Sequence, residues 1–213
     1  MAPLPPAVTV AAAAENGSPA DAAAQRKQWR QRLLAERLAL PSATVDAYSA
    51  AIAAHLRAEL PGRHAGWPAV SIGFCWPIQN EPDLRPLLAD WLAAGVRPCL
   101  PVVVAPAQPL AFRPWTPDAL LAPDRYGIPT PVHGDFITPD ILLLPCNGFD
   151  ASGYRLGYGG GFFDRTLPAL PAVLAIGVAY AAAELPSILP GPHDQPLAAI
   201  VTEQGWRDCR GNV

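Results

Sequence analysis

Apolar positions recur at helical spacing twice near the start of the chain, then give way to short unbroken apolar runs. Trp29, Leu33, Leu34 and Leu38 form one stripe. They predict a helix from Asp21 or Ala22 to about Leu40, with Asp21 as its N-cap and Pro41 as its stop. Val45, Tyr48, Ile52 and Leu56 predict a second helix over residues 42–60, stopped by Pro61 and Gly62. The runs at 69–76, 97–104, 110–115, 141–144, 172–179 and 198–202 read as buried strands. Between them, 83–94 is helical with Gly95 as C-cap, and 162–167 is a short helix limited by Pro168. Thr116 followed by Pro117 predicts one more short helix, and 122–139 a long, proline-punctuated connection. Strands alternating with helices predict an α/β fold: an open, mostly parallel, Rossmann-like three-layer sheet flanked by helices, with a helical pair at the N-terminus.

Composition narrows this. The chain has 213 residues, 51% of them hydrophobic and 15% charged. That suffices for one compact α/β domain, expected over residues 25–213. Residues 1–24, rich in Ala and Pro and without Lys or Arg, read as a disordered tail rather than a secretory signal. No apolar stretch is long enough to span a bilayer, so a cytoplasmic chain with no membrane partner is expected. Net charge is -3, which offers no general basic field for nucleic acid. Positive charge is local: Arg26, Lys27, Arg30 and Arg32 in the first helix, Arg155 and Arg165 around a glycine run. Cys75, Cys99, Cys146 and Cys209 show neither zinc spacing nor a disulfide framework.

The glycine run carries the chemistry. Residues 155–165 read Arg-Leu-Gly-Tyr-Gly-Gly-Gly-Phe-Phe-Asp-Arg, between a predicted strand and a predicted helix. Glycines let several backbone N–H groups converge on one anion, and a helix start adds partial positive charge. Arg155 supplies a forked cation. Asp164 is a carboxylate beside the phosphate position, and Mg²⁺ commonly takes one or two carboxylates plus phosphate oxygens. The pattern is neither a Walker A loop nor a dinucleotide fingerprint. Read alone, it is a nucleotide-phosphate cradle or a flexible turn.

The longer string from Phe149 and Asp150 through Gly153, Arg155, Leu156, Gly157, Gly159, Gly161, Phe162, Phe163 and Asp164 resembles the signature of the 5-formyltetrahydrofolate cyclo-ligase family (methenyltetrahydrofolate synthetases). The resemblance extends from about Arg26: Arg26 and Arg30 at i, i+4, Glu81 after the first strand, His193-Asp194, and Val201-Thr202-Glu203 near the end. It implies an ATP- and Mg²⁺-dependent conversion of 5-formyltetrahydrofolate to 5,10-methenyltetrahydrofolate, through a phosphorylated formyl group. A monomer is expected. By the same resemblance, Arg26, Arg30, Arg155, Leu156, Gly157, Tyr158, Gly159, Gly160, Gly161, Phe162 and Phe163 bind ATP. Asp164 and Asp194 hold Mg²⁺. Trp76, Glu81, Tyr158, Gly159, Gly160, Gly161 and Phe162 meet the folate, and Arg155 and Tyr158 act in catalysis. Thr130, Ala183, Phe162 and Phe163 depart from residues common in the family.

Without the resemblance, plainer readings stand. Arg26 and Arg30 are a solvated helix face, Glu81 complements the start of a helix, and Trp76 is core. His193 takes no role, and Cys146 has no visible base to make it a nucleophile. Two other functions remain: a non-catalytic relative that binds nucleotide or folate, and a sugar-phosphate enzyme of similar fold.

Overall fold

A computed structural model describes residues 18–209. Helix α1 (Pro19–Leu38) opens on a reciprocal capping box, in which Ser18 Oγ accepts from Asp21 N–H and Asp21 accepts from Ser18 N–H. Asp21 is therefore the third helical residue rather than the N-cap, and residues 19–24, capped by Ser18, belong to the helix rather than to the expected tail. The remainder of that tail, residues 1–17, lies outside the described residues.

Helix α2 (Ser42–Glu59) leads to strand β1 (Ser71–Phe74), then α3 (Arg85–Ala93), β2 (Arg97–Val102) and β3 (Ala111–Pro114). A small antiparallel hairpin follows, β4 (Leu121–Pro123) with β5 (Pro129–Pro131). Strand β6 (Ile141–Pro145) precedes a second hairpin, β7 (Gly148–Phe149) with β8 (Arg155–Leu156). The chain ends through α4 (Phe162–Ala169), β9 (Leu174–Val178), β10 (Ala199–Thr202) and β11 (Gly205–Asp208). Thr116-Pro117 starts a turn rather than a helix. The hairpin β4–β5 lies inside the expected featureless connection. Pro168 falls inside α4 rather than ending it; α4 runs only to Ala169 beyond it.

One seven-stranded sheet carries the order β11-β10-β9-β6-β1-β2-β3. The five inner strands are parallel, and the edge strands β3 and β11 run antiparallel. This is the mostly parallel α/β sheet that the alternation of elements predicts. Its parallel strands are unbroken apolar runs because both faces are covered. Ile72, Phe74, Ile141, Leu143 and Ile176 pack with Ile52 and Leu56 of α2 and Leu88 of α3 on one side. Leu142, Leu144, Ala175 and Ile200 pack with Leu167 of α4 on the other.

Chain direction reverses between β1 and β6. From β1 the chain crosses to β2 through α3, and from β6 it crosses the other way to β9 through α4. Open α/β sheets place ligands outside the carboxyl ends of strands at such a switch point. Here α1 covers that end: its Leu33 packs with Leu156, Leu185 and Ile188. The N-terminal pair is thus divided between two tasks, α2 covering a face of the sheet and α1 closing its end.

Asp150 braces the turn of β7–β8. Its Oδ1 accepts from Ser152 and Tyr154 N–H, and its Oδ2 from Ile188 N–H. Gly153 in that turn has φ +83°, and a Cβ there would lie 2.7 Å from Cys209 Cβ and 2.9 Å from Leu197 O. Gly153→Ala is therefore expected to destabilise the fold by about 2–4 kcal/mol, combining left-handed strain with overpacking. Urea unfolding measures it; a loss below about 0.5 kcal/mol, the scale of an ordinary surface substitution, would show that the turn relaxes freely.

Candidate active site at the switch point

The glycine loop follows β8 and leads into α4. Gly161 caps α4 in the left-handed region, φ 64°, where a Cβ would meet Arg165 Nη1 at 2.8 Å. Glycine is required there to turn the chain into the helix start. Leu156 is buried and Phe163 packs against the core beneath the sheet, so these two residues offer the loop only their backbone. Phe162 instead lies at the surface of the loop, edge-on to Tyr126 at the tip of the β4–β5 hairpin.

Three arginines of α1 hold this region. Arg26 Nη1 donates to Asp194 Oδ2 at 3.1 Å and to Leu189 O at 3.3 Å. Arg30 Nε donates to Gly157 O at 2.8 Å. Arg37 Nε donates to Gln79 O at 2.9 Å, and its Nη2 donates to the Tyr158 hydroxyl at 2.6 Å. From the other side, Arg155 donates to Asp164 Oδ1 and, at 3.0 Å, to Gln195 O. Burial and the neighbouring charge of Arg26 lower the pKa of Arg30, opposed by Asp194 and Asp164. Two crowded, partly desolvated guanidiniums that stay charged are stabilised by an anion between them and the loop.

Arg26 with Asp194 and Arg155 with Asp164 thus form two ion pairs whose charges reach Arg30, itself bonded to Gly157 O. The stripe chosen on α1 is corrected. Leu38 is 50% exposed, whereas Arg37 is 8% exposed. The inward face is Arg26, Arg30, Leu33 and Arg37, at i, i+4, i+7 and i+11, so a face weighted by apolarity pointed partly outward. That spacing from Arg26 was the signal for Arg37, a residue the motif did not single out.

Beside the loop, a cleft of about 90 Å³ opens at the carboxyl ends of β1, β6 and β9. Leu33 and Arg37 of α1, Glu81, Cys146, Asn147 and Tyr180 line it. Glu81 is 5% exposed. Its Oε1 accepts the Tyr158 hydroxyl proton at 2.5 Å and its Oε2 accepts Ile78 N–H at 3.1 Å, while Arg37 Nη2 stands 4.0 Å away. Gln79 and Asn80, just before it, occupy left-handed backbone with φ 52° and 59°. That strained pair turns the chain so that Gln79 O meets Arg37 and Glu81 faces the cleft. Trp76 lies elsewhere: it packs on the core, Arg85 covers its ring at 4.5 Å, and it is not among the residues lining the cleft.

Burial raises the pKa of Glu81 above 4.5, against the Tyr158 hydrogen bond, Arg37 and Ile78 N–H. Burial and the Glu81 charge keep Tyr158 a phenol. Burial pushes the Cys146 thiol up to about 12, so it stays protonated at neutral pH and offers no thiolate nucleophile. The arrangement can therefore hold an anion on the loop and, next to it, an N–H-bearing ring against a buried carboxylate.

An open α/β sheet with a glycine loop and a cleft at its switch point is an arrangement that takes small-molecule ligands. Sequence comparison specifies it: the model of the 5-formyltetrahydrofolate cyclo-ligase family matches residues 22–203, and the chain belongs to that family. It is 30% identical to the 5-formyltetrahydrofolate cyclo-ligase of Mycolicibacterium smegmatis over 189 residues, 83% of this chain and 93% of that one. It is 37% identical to the Escherichia coli K12 cyclo-ligase over 133 residues, 59% of this chain and 73% of that one. The Aquifex aeolicus 5,10-methenyltetrahydrofolate synthetase superposes with a TM-score of 0.75 at 27% identity, covering 88% and 94% of the two chains. A synthetase from Mycoplasma pneumoniae shares the fold at a TM-score of 0.67 and 23% identity. Among the described residues, no helix is long and apolar enough to cross a membrane.

The raised pKa of Glu81 has a signed consequence. The folded state holds its proton more tightly than the unfolded chain, so this group's contribution to stability falls as pH rises from the unfolded value of 4.5 through the raised folded value. Thermal unfolding of wild type and Glu81→Gln across pH 4 to 8 is expected to show wild type losing ground to the variant as pH rises. A difference independent of pH would mean that Arg37 and Tyr158 fully compensate the buried charge.

Proposed function

We propose that this chain converts 5-formyltetrahydrofolate to 5,10-methenyltetrahydrofolate at the expense of ATP, releasing ADP and phosphate. The observation that carries the reading is the Tyr158–Glu81 hydrogen bond, which puts the glycine loop and the switch-point cleft side by side. One site for phosphates and one for a ring must adjoin if a phosphoryl group is to pass between two substrates. The names of the relatives support the same chemistry.

In this reading ATP lies on the backbone of Leu156, Gly157, Tyr158, Gly159, Gly160, Gly161, Phe162 and Phe163, with Arg26, Arg30 and Arg155 neutralising its phosphates. The folate ring occupies the cleft, where Glu81 accepts hydrogen bonds from ring N–H and amino groups. Tyr158, Gly159, Gly160, Gly161 and Phe162 touch both substrates. Trp76 fits the folate role less well, since Arg85 already covers its ring.

Asp164 and Asp194 suit Mg²⁺. One oxygen of each carboxylate is engaged by an arginine, Asp164 Oδ1 by Arg155 and Asp194 Oδ2 by Arg26. The other oxygen of each is left to a cation that also takes phosphate oxygens. Bound there, the ion supplies charge neutralisation for the transferring phosphoryl group.

The formyl oxygen attacks the γ-phosphorus, the bond to ADP breaks, and the oxygen becomes a good leaving group. The second folate amine then attacks the formyl carbon and loses its proton. The carbon–oxygen bond breaks, and inorganic phosphate departs. Arg155 and Tyr158 act by position: Arg155 holds charge against the loop, and Tyr158 donates to Glu81 while accepting from Arg37. No protein nucleophile is needed, which fits the protonated Cys146.

The test is spectral. Protein, ATP, Mg²⁺ and 5-formyltetrahydrofolate are expected to generate the near-ultraviolet band of the methenyl product. Arg30→Ala is expected to lower kcat/KM for ATP roughly 10- to 100-fold, the loss of one charge-assisted contact, with little change in melting temperature. ATP binding without product would contradict the reading and favour a non-catalytic member of the family.

A further inference from the structure

We propose that Asn147 is a specificity-determining contact of the cleft, a carboxamide held in reserve for the polar edge of the substrate ring. The inference rests on the proposed folate reading and deepens it. Asn147 follows β6 at the switch point and is 4% exposed. It lines the same cleft as Glu81 and Arg37. Its Oδ1 is buried and has no hydrogen-bond partner among the described residues. A buried amide oxygen left unpaired is costly and needs a reason.

Its backbone removes the easy explanation of a movable loop. Asn147 N–H donates to Leu156 O at 2.9 Å, and the preceding Cys146 N–H donates to Val178 O at 3.0 Å. The main chain is pinned on both sides, to the glycine-loop hairpin and to β9. Only the carboxamide can turn, and its terminal torsion is broad and two-fold. It can therefore present either its oxygen or its N–H₂ to the cleft.

The surroundings ask for a ligand rather than a protein partner. Cys146 is a protonated thiol, and the alanines 182 and 183 on the cleft wall have no polar side chain. Each oxygen of Glu81 holds one protein hydrogen bond, from Tyr158 and from Ile78 N–H, and keeps a second lone pair for a ligand. A pyrimidinone ring carries N–H and C=O groups side by side on its edge. Such an edge satisfies a carboxamide in either orientation while Glu81 accepts from a neighbouring N–H. An apolar residue at this position would lack that contact, and a site built to hydrogen-bond its substrate discriminates strongly against analogues that cannot.

Asn147→Ala and Asn147→Leu test the assignment in the complete chain, after wild-type turnover of 5-formyltetrahydrofolate is established. Both variants are expected to raise KM for the folate about tenfold, the worth of one hydrogen bond in a dry site. KM for ATP is expected to stay within about twofold, and the melting temperature to be equal to or above that of wild type, because an unsatisfied buried amide is gone. A folate KM within twofold for Asn147→Ala overturns the assignment. So does an effect confined to Asn147→Leu, which would be steric filling, or a loss in both substrates that tracks a lowered melting temperature, which would be structural. Absence of turnover in wild type contradicts the proposed function instead.

Discussion

The contact of buried Glu81 and Arg37 with the hydroxyl of the partly exposed Tyr158 is the constraint on which the site depends. It joins three pieces of chain: the turn after β1, the glycine loop after β8, and the last turns of α1, which Arg37 on Gln79 O and Arg30 on Gly157 O also tie together. Each member is costly by itself. A carboxylate in a cleft this dry is disfavoured, and a guanidinium 8% exposed needs acceptors. Together they satisfy one another, with the phenol between the charges as both donor and acceptor. The cluster explains why α1 lies across the carboxyl end of the sheet. It also explains why Gln79 and Asn80 adopt left-handed backbone, which feeds Gln79 O to Arg37.

The same geometry explains why α1 carries arginine on its inward face. Arg26 reaches the segment before β10, Arg30 the entry of the glycine loop, and Arg37 the cleft. One helix thus sets the loop, Asp194 and Glu81 in mutual register. The glycines make the loop pliable; Arg30 on Gly157 O and the Asp150 brace restrict it again. A loop restrained in this way has less ordering left to do on binding any ligand.

The glycine loop proposed to hold phosphate stands out in the sequence because its pattern is local. Glycines, an arginine and an aspartate within eleven residues form a pattern that no ordinary strand or helix needs. The parallel sheet was legible because buried strands are unbroken apolar runs. The cleft was not, since it is assembled from residues 37, 81, 147 and 180, whose proximity depends on the switch point. Arg37 escaped because an inward arginine looks, by apolarity, like an outward one. Asn147 escaped because a polar residue after a strand reads as the start of a loop. Ser18 caps α1 where the sequence suggests Asp21, the other member of the same capping box, and the short hairpins β4–β5 and β7–β8 fall below the length at which alternation can be read.

The central claim is that one phenol couples the nucleotide loop to the ring cleft. Tyr158→Phe removes the hydroxyl and leaves the ring, so steady-state kinetics with each substrate varied against saturating partner tests it directly. KM is expected to rise for both ATP and 5-formyltetrahydrofolate, with the fold intact by thermal unfolding. A rise for one substrate alone, with the other unchanged, would contradict it.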